Sequence, residues 1–439
     1  MSLFDDVLNK TVSAIESQPW ASDLRSVTLI RDLNGKVRLV LEFRKDATGQ
    51  DLLPANWERT SRSTLEQQLA SDLGPYWGQR IWVAGQRRDA AYQALDQAIR
   101  AGRQPWPEAP TTLSGALAWY RLERLFSKSS WFGRTVAPPW KLEDQGAPAI
   151  VSFYSFKGGV GRTTAVAAAA LLLARARRRI VVLDLDLEAP GIGALLLGQI
   201  APPDDGIVDY LLETELHGQR PAVLGPYVAV QSSAELIGNG EPIRLLTAGR
   251  LNGAYLEKVA RLDFEGFVSG GRNPLAELLT HVREEYDPEF ILLDVRAGLH
   301  DLGGLSLNGF SHLDLLFGLD TEQSWAGLTL VLDTLSAATQ RREALFVHAM
   351  VTPARFDPDA NQRFRGRSYD LFRQHYFGVD DDMPDIADPI APYGVAVPYQ
   401  EELLNVDRLE SVVDLLTRPD GPYAGLVQVI GAYVQRETL

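Results

Sequence analysis

Ala149-Ile-Val-Ser-Phe-Tyr-Ser-Phe-Lys-Gly-Gly-Val-Gly-Arg-Thr-Thr164 is the stretch around which the chain is organised. It opens on an apolar, β-prone run, Ile150 to Phe156. Glycines follow at Gly158, Gly159 and Gly161. Arg162, Thr163 and Thr164 then lead into Ala165 to Ala174, apolar throughout, which predicts a buried helix. A strand, a glycine loop and a helix start bearing hydroxyls form a geometry that holds a phosphate chain. Glycine lets backbone N–H groups turn inward around phosphate oxygens, and the helix N-terminus adds unsatisfied donors and a positive dipole end. A threonine in the first helical turn can ligate Mg²⁺.

The spacing departs from the usual P-loop, G-x-x-x-x-G-K-[ST]. Phe156 stands at the first glycine position and Arg162 at the lysine position, while Lys157 sits just after the strand. A Rossmann G-x-G-x-x-G fails as well, because counting from Gly159 the sixth position is Thr164. Lysine-Gly-Gly-x-Gly followed by a basic residue and two threonines resembles the deviant Walker A motif of the ParA/MinD ATPases. Arg162 places the chain near a KGGVGR branch of that family. The resemblance implies a nucleotide-binding loop made of Lys157, Gly158, Gly159, Val160, Gly161, Arg162, Thr163 and Thr164. It also implies ATP and Mg²⁺ as cofactors. Lys157 would cross a dimer interface to touch the partner subunit's phosphates.

Two further motifs follow in the family's order. Ile180-Val-Val-Leu-Asp-Leu-Asp186 reads as a central parallel strand, apolar on both faces, with acids at its C-terminal end, where open α/β sheets bind ligands. By the resemblance Asp186 orients the attacking water or the Mg²⁺ shell, with Asp184 beneath it. Phe290-Ile-Leu-Leu-Asp294 has the Walker B pattern, and Asp294 would hold Mg²⁺ through water. The expected metal set is Thr163, Asp186 and Asp294, and the expected catalytic pair Lys157 and Asp186. Arg296 stands where the family usually carries a proline-containing switch; it could face phosphate or a surface acid. After the strand Ala344 to Val351 the family's adenine-reading asparagine is missing, and Thr352-Pro353 follow instead.

The expected fold is a doubly wound, mostly parallel P-loop sheet over residues 148–439, preceded by a separate small α/β domain over 1–105. In that first domain Asn34-Gly35, between two β-prone runs, predicts a hairpin with a type I′ turn. Ser63 with Glu66 predicts a helix start. Residues 106–147 read as proline-rich connectors around a bridging helix, Leu113 to Phe126. Eight of the nine tryptophans precede residue 141, each weighed as core more readily than as interface.

Charge and composition restrict the classes of function. Zero cysteines exclude disulfides and thiolate metal sites, and six scattered histidines show no ligand spacing. No apolar run reaches the length of a membrane span. The acidic first residues lack a signal-peptide core, so a cytoplasmic and, by the resemblance, bacterial protein is expected. Residues 1–147 hold nineteen Lys and Arg against seventeen Asp and Glu, so the remainder carries −16 of the net −14. That balance disfavours sequence-independent DNA binding. The runs Arg175 to Arg179 and Asn361 to Tyr369 are basic, the second interleaved with aromatics, and are the candidate exceptions. The C-terminal Tyr423 to Val434 reads as an amphipathic helix docked on its own domain.

The expected function is an ATP-binding switch: a slow ATPase whose ATP form is a homodimer, with the N-terminal domain engaging a protein partner. Arg162 keeps the alternative of a non-hydrolysing nucleotide-binding adaptor, because a planar guanidinium is not equivalent to lysine's compact ammonium.

Overall fold

The computed structural model describes residues 4–85, 90–112, 117–124, 131, 138–269, 272–336, 343–378, 381–404, 406 and 408–437. The chain divides into two compact units, Met1–Phe126 and Ser127–Leu439.

In the first unit a five-stranded sheet has the order β3-β2-β1-β5-β4. Its strands are β1 (Leu24–Arg31), β2 (Val37–Phe43), β3 (Trp77–Val83), β4 (Gln104–Pro105) and β5 (Ala118–Glu123). Helices α1 (Val7–Glu16) and α2 (Arg62–Leu73) bury Val12, Ile15, Leu65 and Leu69 with Leu29, Leu39 and Leu41 in the main core. Helix α3 (Ala90–Gly102) contributes Ile99 to a smaller cluster with Ile30, Val40 and Leu122.

Three local expectations are corrected here. The β1–β2 hairpin forms, but Gly35 has φ 76° while Asn34 is not left-handed. The Asp32 carboxylate accepts from the Asn34 and Lys36 amides at 3.0 and 2.9 Å, which makes a five-residue loop rather than a type I′ turn. Ser63 is no cap, since α2 begins at Arg62 and continues a preceding turn at Trp57–Ser61. The bridging helix is absent over 118–123, where β5 pairs parallel with β1; residues 113–116 and 125–126 lie outside the described residues. Trp119 belongs to one core cluster and Leu122 to the other. β5 is thus covered on both faces, and the polar–apolar alternation that marks a half-buried strand is lost.

The 106–112 part of the supposed connector is anchored. Trp106 and Ala109 are buried, and Thr111 and Thr112 donate to the Glu16 carboxylate. Limited proteolysis is therefore expected to spare 103–112 and to release a fragment ending near the Phe126/Ser127 boundary. Early cleavage between Gln104 and Thr112 in a mass-mapped digest would contradict this.

The second unit is an eight-stranded sheet in the order β13-β12-β11-β6-β10-β7-β9-β8. Its strands are β6 (Ala149–Ser155), β7 (Ile180–Leu185), β8 (Val228–Gln231), β9 (Ile243–Leu246), β10 (Phe290–Val295), β11 (Leu313–Gly318), β12 (Glu343–Val351) and β13 (Val395–Pro398). Every pairing is parallel except β8 with β9. Successive strand residues feed opposite cores: Ile150, Tyr154, Val181 and Leu183 one, Val151, Phe153, Ile180 and Val182 the other. Helix α4 (Arg162–Arg175) lies in the second core, with Ala165 to Leu171 all buried. The C-terminal helix Ala424–Glu437 packs beside it through Leu426, Val429 and Ile430. Trp131 and Trp140 are buried in this unit's own core, so the tryptophan-rich region does not coincide with the first unit.

Candidate nucleotide-binding site

The loop between β6 and α4 is held by glycine geometry. Gly159 and Gly161 have φ of 76° and 77°, a region where other residues are strained. Lys157, Gly158 and Gly159 are exposed, and a Cβ on Gly158 or Gly159 would meet nothing within 4 Å, so the rim of the loop is open. Val160 turns inward and is buried. Phe156 fits at the first P-loop position because the helix Glu322–Ser336 offers it a glycine: a Cβ on Gly327 would lie 2.1 Å from Phe156 Cγ.

Opposite the loop, the acids arrive on neighbouring parallel strands. Asp184 in β7 is in register with Asp294 in β10, so both carboxylates face the same side. Asp186 follows β7, its amide donating to Asp184 Oδ1 at 3.2 Å and its Oδ1 accepting from the Ala189 amide at 3.2 Å.

Arg162, the first residue of α4, joins these acids. Its Nε donates to Asp294 Oδ1 at 2.7 Å and its Nη2 to Asp186 Oδ2 at 3.0 Å. The cluster is deeply buried: Arg162 and Asp186 are each 8% exposed, Asp184 1% and Asp294 0%. Burial pushes the Asp184 carboxyl well above the usual carboxylate range, and the neighbouring Asp294 adds to it. Burial also raises Asp294, against the opposing pull of Arg162 and the Thr163 hydroxyl. Asp184 Oδ2 and Asp294 Oδ2 are buried with no hydrogen-bond partner among the described residues.

The two loops beyond the acids are tied together by Glu188. Its carboxylate pairs with Arg296 and accepts from His300 Nε2 at 2.6 Å. The salt bridges draw the Glu188 carboxyl down, against the opposing effect of burial. Arg296 therefore faces a surface acid. Tyr255 donates to the Leu187 carbonyl at 2.8 Å, and Trp131 Nε1 to the His300 carbonyl at 2.8 Å.

Sequence-predicted Arg162, Asp186 and Asp294 thus converge, and Thr163 adjoins them. Lys157 stands apart, exposed and without an ion pair among the described residues. Sequence reasoning missed Met350, a left-handed residue (φ 51°) whose Cε lies 3.7 Å from where a Cβ on Gly161 would sit. It also missed Glu188 as the tie between loops; a glutamate two residues after Asp186 was the available signal. In β12, His348 is buried, stacked on Phe364 at 4.2 Å and bonded to the partly buried Asn361 at 3.1 Å.

The family model for the CobQ/CobB/MinD/ParA nucleotide binding domain (CbiA) matches residues 151–419. The chain belongs to that family. Among solved structures, the cell division ATPase MinD of Pyrococcus furiosus is 19% identical, with 66% of this chain and 99% of that one covered and a TM-score of 0.44. A ParA family ATPase of Chlorobium tepidum TLS is 14% identical over 67% and 99%, TM-score 0.43. MinD of Pyrococcus horikoshii OT3, complexed with Mg-ADP, is 18% identical over 66% and 95%, TM-score 0.42. No curated protein matches the chain. As a CobQ/CobB/MinD/ParA domain, residues 151–419 form a nucleotide-binding fold, and the glycine loop lies at the C-terminal ends of its central strands.

The donors present fit a magnesium ion. Mg²⁺ takes one or two carboxylates and completes its shell with water and substrate phosphates, and Asp294 Oδ2 is a hard oxygen donor left unpartnered. Among the described residues no three His, Asp or Glu side chains form a cage that would hold a metal by themselves. Asp294, Asp186 and Thr163 would hold the ion, and it would neutralise phosphate charge.

No helix among the described residues is long and apolar enough to cross a membrane. Most arginines of the basic stretches are occupied internally. Arg363 pairs with Asp357, Arg367 with Glu322, and Arg365 donates to the carbonyls of Gly394, Ile386 and Asp388. At the end of α4, Arg175 donates to the carbonyls of Leu236 and Glu235, while Arg178 and Arg179 pair with Glu289 and Asp287.

Proposed function

We propose that the protein is a Mg²⁺-dependent ATP-binding switch whose ATP-bound form closes a homodimer and turns over slowly. The observation that carries this reading is the open glycine loop at the N-terminus of α4, facing Asp186 and Asp294 across the ends of β7 and β10. In phosphoryl transfer the protein supplies positioning and charge neutralisation rather than covalent chemistry. The loop amides and Arg162 hold the phosphates, Asp186 orients water, and Lys157 reaches the phosphates of a second subunit. The first unit is the partner-binding module of a cytoplasmic, bacterial protein. Nucleic acid is the less favoured partner, since the arginines of 361–369 are already engaged.

A second reading, a nucleotide-binding adaptor that does not hydrolyse, is favoured by one observation. Arg162 is held by both acids that catalysis needs free.

Titration with ATP and Mg²⁺ tests the common core of both readings; no saturable ATP or GTP binding removes them. Sedimentation with a non-hydrolysable ATP analogue separates them, the switch requiring dimer and the adaptor accepting monomer. Lys157→Ala should leave unfolding and monomer affinity unchanged, because the side chain is exposed and unpaired. Its binding energy is realised only in the closed dimer, so the variant should stay monomeric with ATP and show no turnover. ATP-dependent dimerisation of Lys157→Ala at the wild-type concentration would remove the crossing role.

A further inference from the structure

The structure assigns Arg162 a second role, that of resident cation: its guanidinium fills the divalent-cation position between Asp186 and Asp294 until nucleotide phosphate draws it away. This rests on the nucleotide-binding reading and adds to it an order, in which the metal site exists only after Arg162 has moved.

The geometry is specific. One planar group spans two carboxylates from different strands, Nε to Asp294 at 2.7 Å and Nη2 to Asp186 at 3.0 Å. Asp186 follows β7 and Asp294 is the penultimate residue of β10, so the guanidinium lies across the gap between two adjacent strand ends. A divalent ion placed on the same oxygens would meet a buried positive charge at contact distance, in surroundings where screening is weak. Guanidinium and metal therefore exclude one another. With Asp184 pushed by burial towards its neutral form, two further buried carboxylates still face one guanidinium, so the pocket is short of positive charge, and Asp294 Oδ2 has no donor. If Arg162 departs, the deficit grows and a divalent cation becomes the fitting replacement.

Arg162 has somewhere to go. It is the first residue of α4, directly after the left-handed Gly161, so its backbone lies at the mouth of the glycine loop. A phosphate chain held by the loop amides sets a strong anion beside it. Guanidinium pairs bidentately with phosphate as readily as with carboxylate, so the exchange conserves its ion pairing while vacating the acids. Phosphate and metal then bind with positive coupling, and linkage makes the coupling reciprocal. Lysine at this position could not reproduce the arrangement, since an ammonium lacks the flat fork that bridges two carboxylates.

The test uses Mn²⁺ alone, without nucleotide, on the full chain. Arg162→Met fills much of the same volume without charge. Electron paramagnetic resonance should show Mn²⁺ binding to Arg162→Met at least about tenfold tighter than to wild type, the range expected of such coupling. Mn²⁺ should raise the Tm of Arg162→Met and leave that of wild type unchanged. Arg162→Met/Asp294→Asn should lose both responses. Wild-type protein that takes up Mn²⁺ as tightly as Arg162→Met overturns the proposal, and so does a folded Arg162→Met that binds none. Should Arg162→Met fold only when Mn²⁺ is present, the proposal is supported by that rescue. The wild-type measurement remains decisive if the variant does not fold at all, because Mn²⁺ that raises the Tm of nucleotide-free wild type refutes exclusion, and Mn²⁺ that leaves it unchanged supports it. Saturable ATP binding is measured separately on wild type, so loss of the nucleotide reading is distinguishable from loss of this one.

Discussion

Arg162→Ala should destabilise the nucleotide-free protein by about 3–5 kcal/mol, the usual cost of removing one partner from a buried ion pair, and abolish ATP binding. The cost arises because Asp186 and Asp294 lose the guanidinium that compensates them while remaining buried. Both effects are read on the same protein, stability from urea unfolding and binding from a nucleotide titration. The pH dependence has a definite sign. Asp184 and Asp294 titrate above 3.8 when folded, so the folded state holds protons that the unfolded state has released. Such groups oppose folding at pH above their folded values, and stability is regained as pH falls from there towards 3.8. Removing Arg162 takes away a charge that lowers Asp294, so the deficit of the variant should shrink on mild acidification relative to wild type. A deficit that is independent of pH would mean that the carboxylates are not its source. Arg162→Lys should keep nucleotide binding, because the ammonium still reaches phosphate, and should recover only part of the stability.

Gly327→Ala should weaken nucleotide binding without altering any residue of the binding loop. The added Cβ would stand 2.1 Å from Phe156 Cγ and 2.7 Å from Phe156 Cβ. A change of χ1 would move Cγ but not Cβ, so the 2.7 Å contact persists in every rotamer, and overpacking of this kind costs about 1–3 kcal/mol. Phe156 directly precedes Lys157, and the helix Glu322–Ser336 is itself packed through Leu328, Val331 and Leu332. The strain is therefore relieved by moving the start of the loop. The expected result is a lower Tm together with a loss of ATP affinity of about tenfold, the scale of a 1.4 kcal/mol change. Phe156→Ala in the same background should restore part of both, since it removes the clashing ring. Unchanged ATP affinity in a destabilised Gly327→Ala would show that the loop's entry is not set by this contact.

The strand, glycine loop and helix of residues 149–175 were legible because each carries a local signal: β-prone residues, glycines in left-handed positions and an unbroken apolar helix. β7 and β10 were legible for the same reason, as apolar runs ending in acids. Long-range events were not. The partners of Arg162 lie 24 and 132 residues away, and nothing in the local pattern says that an arginine in a glycine loop turns inward to meet them. Leu113, Leu117, Tyr120 and Leu125 have helical spacing, yet Ala118–Glu123 is a strand because β1 offers it an edge. Pairing with a distant strand outweighed local periodicity. At Asn34-Gly35 the dipeptide marked the hairpin correctly, and the neighbouring Asp32 carboxylate, by accepting two amides, chose the turn.

Helix α4 is enclosed along its length, with Ala165 to Leu171 all buried, and it is fastened at its C-terminal end, where the Ala174 carbonyl accepts from the Glu241 amide at 2.9 Å and sits 2.2 Å from where a Cβ on Gly240 would be. A rod enclosed and anchored in this way has no stroke, even once Arg162 has exchanged its carboxylates for phosphate. Ligand binding at its tip cannot be passed on by sliding it, so the mechanical compliance of the domain resides in the segments Asp186–Gly191 and Arg296–His300. In deuterium exchange the amides of α4 should be among the slowest with or without nucleotide, while those two segments carry the difference.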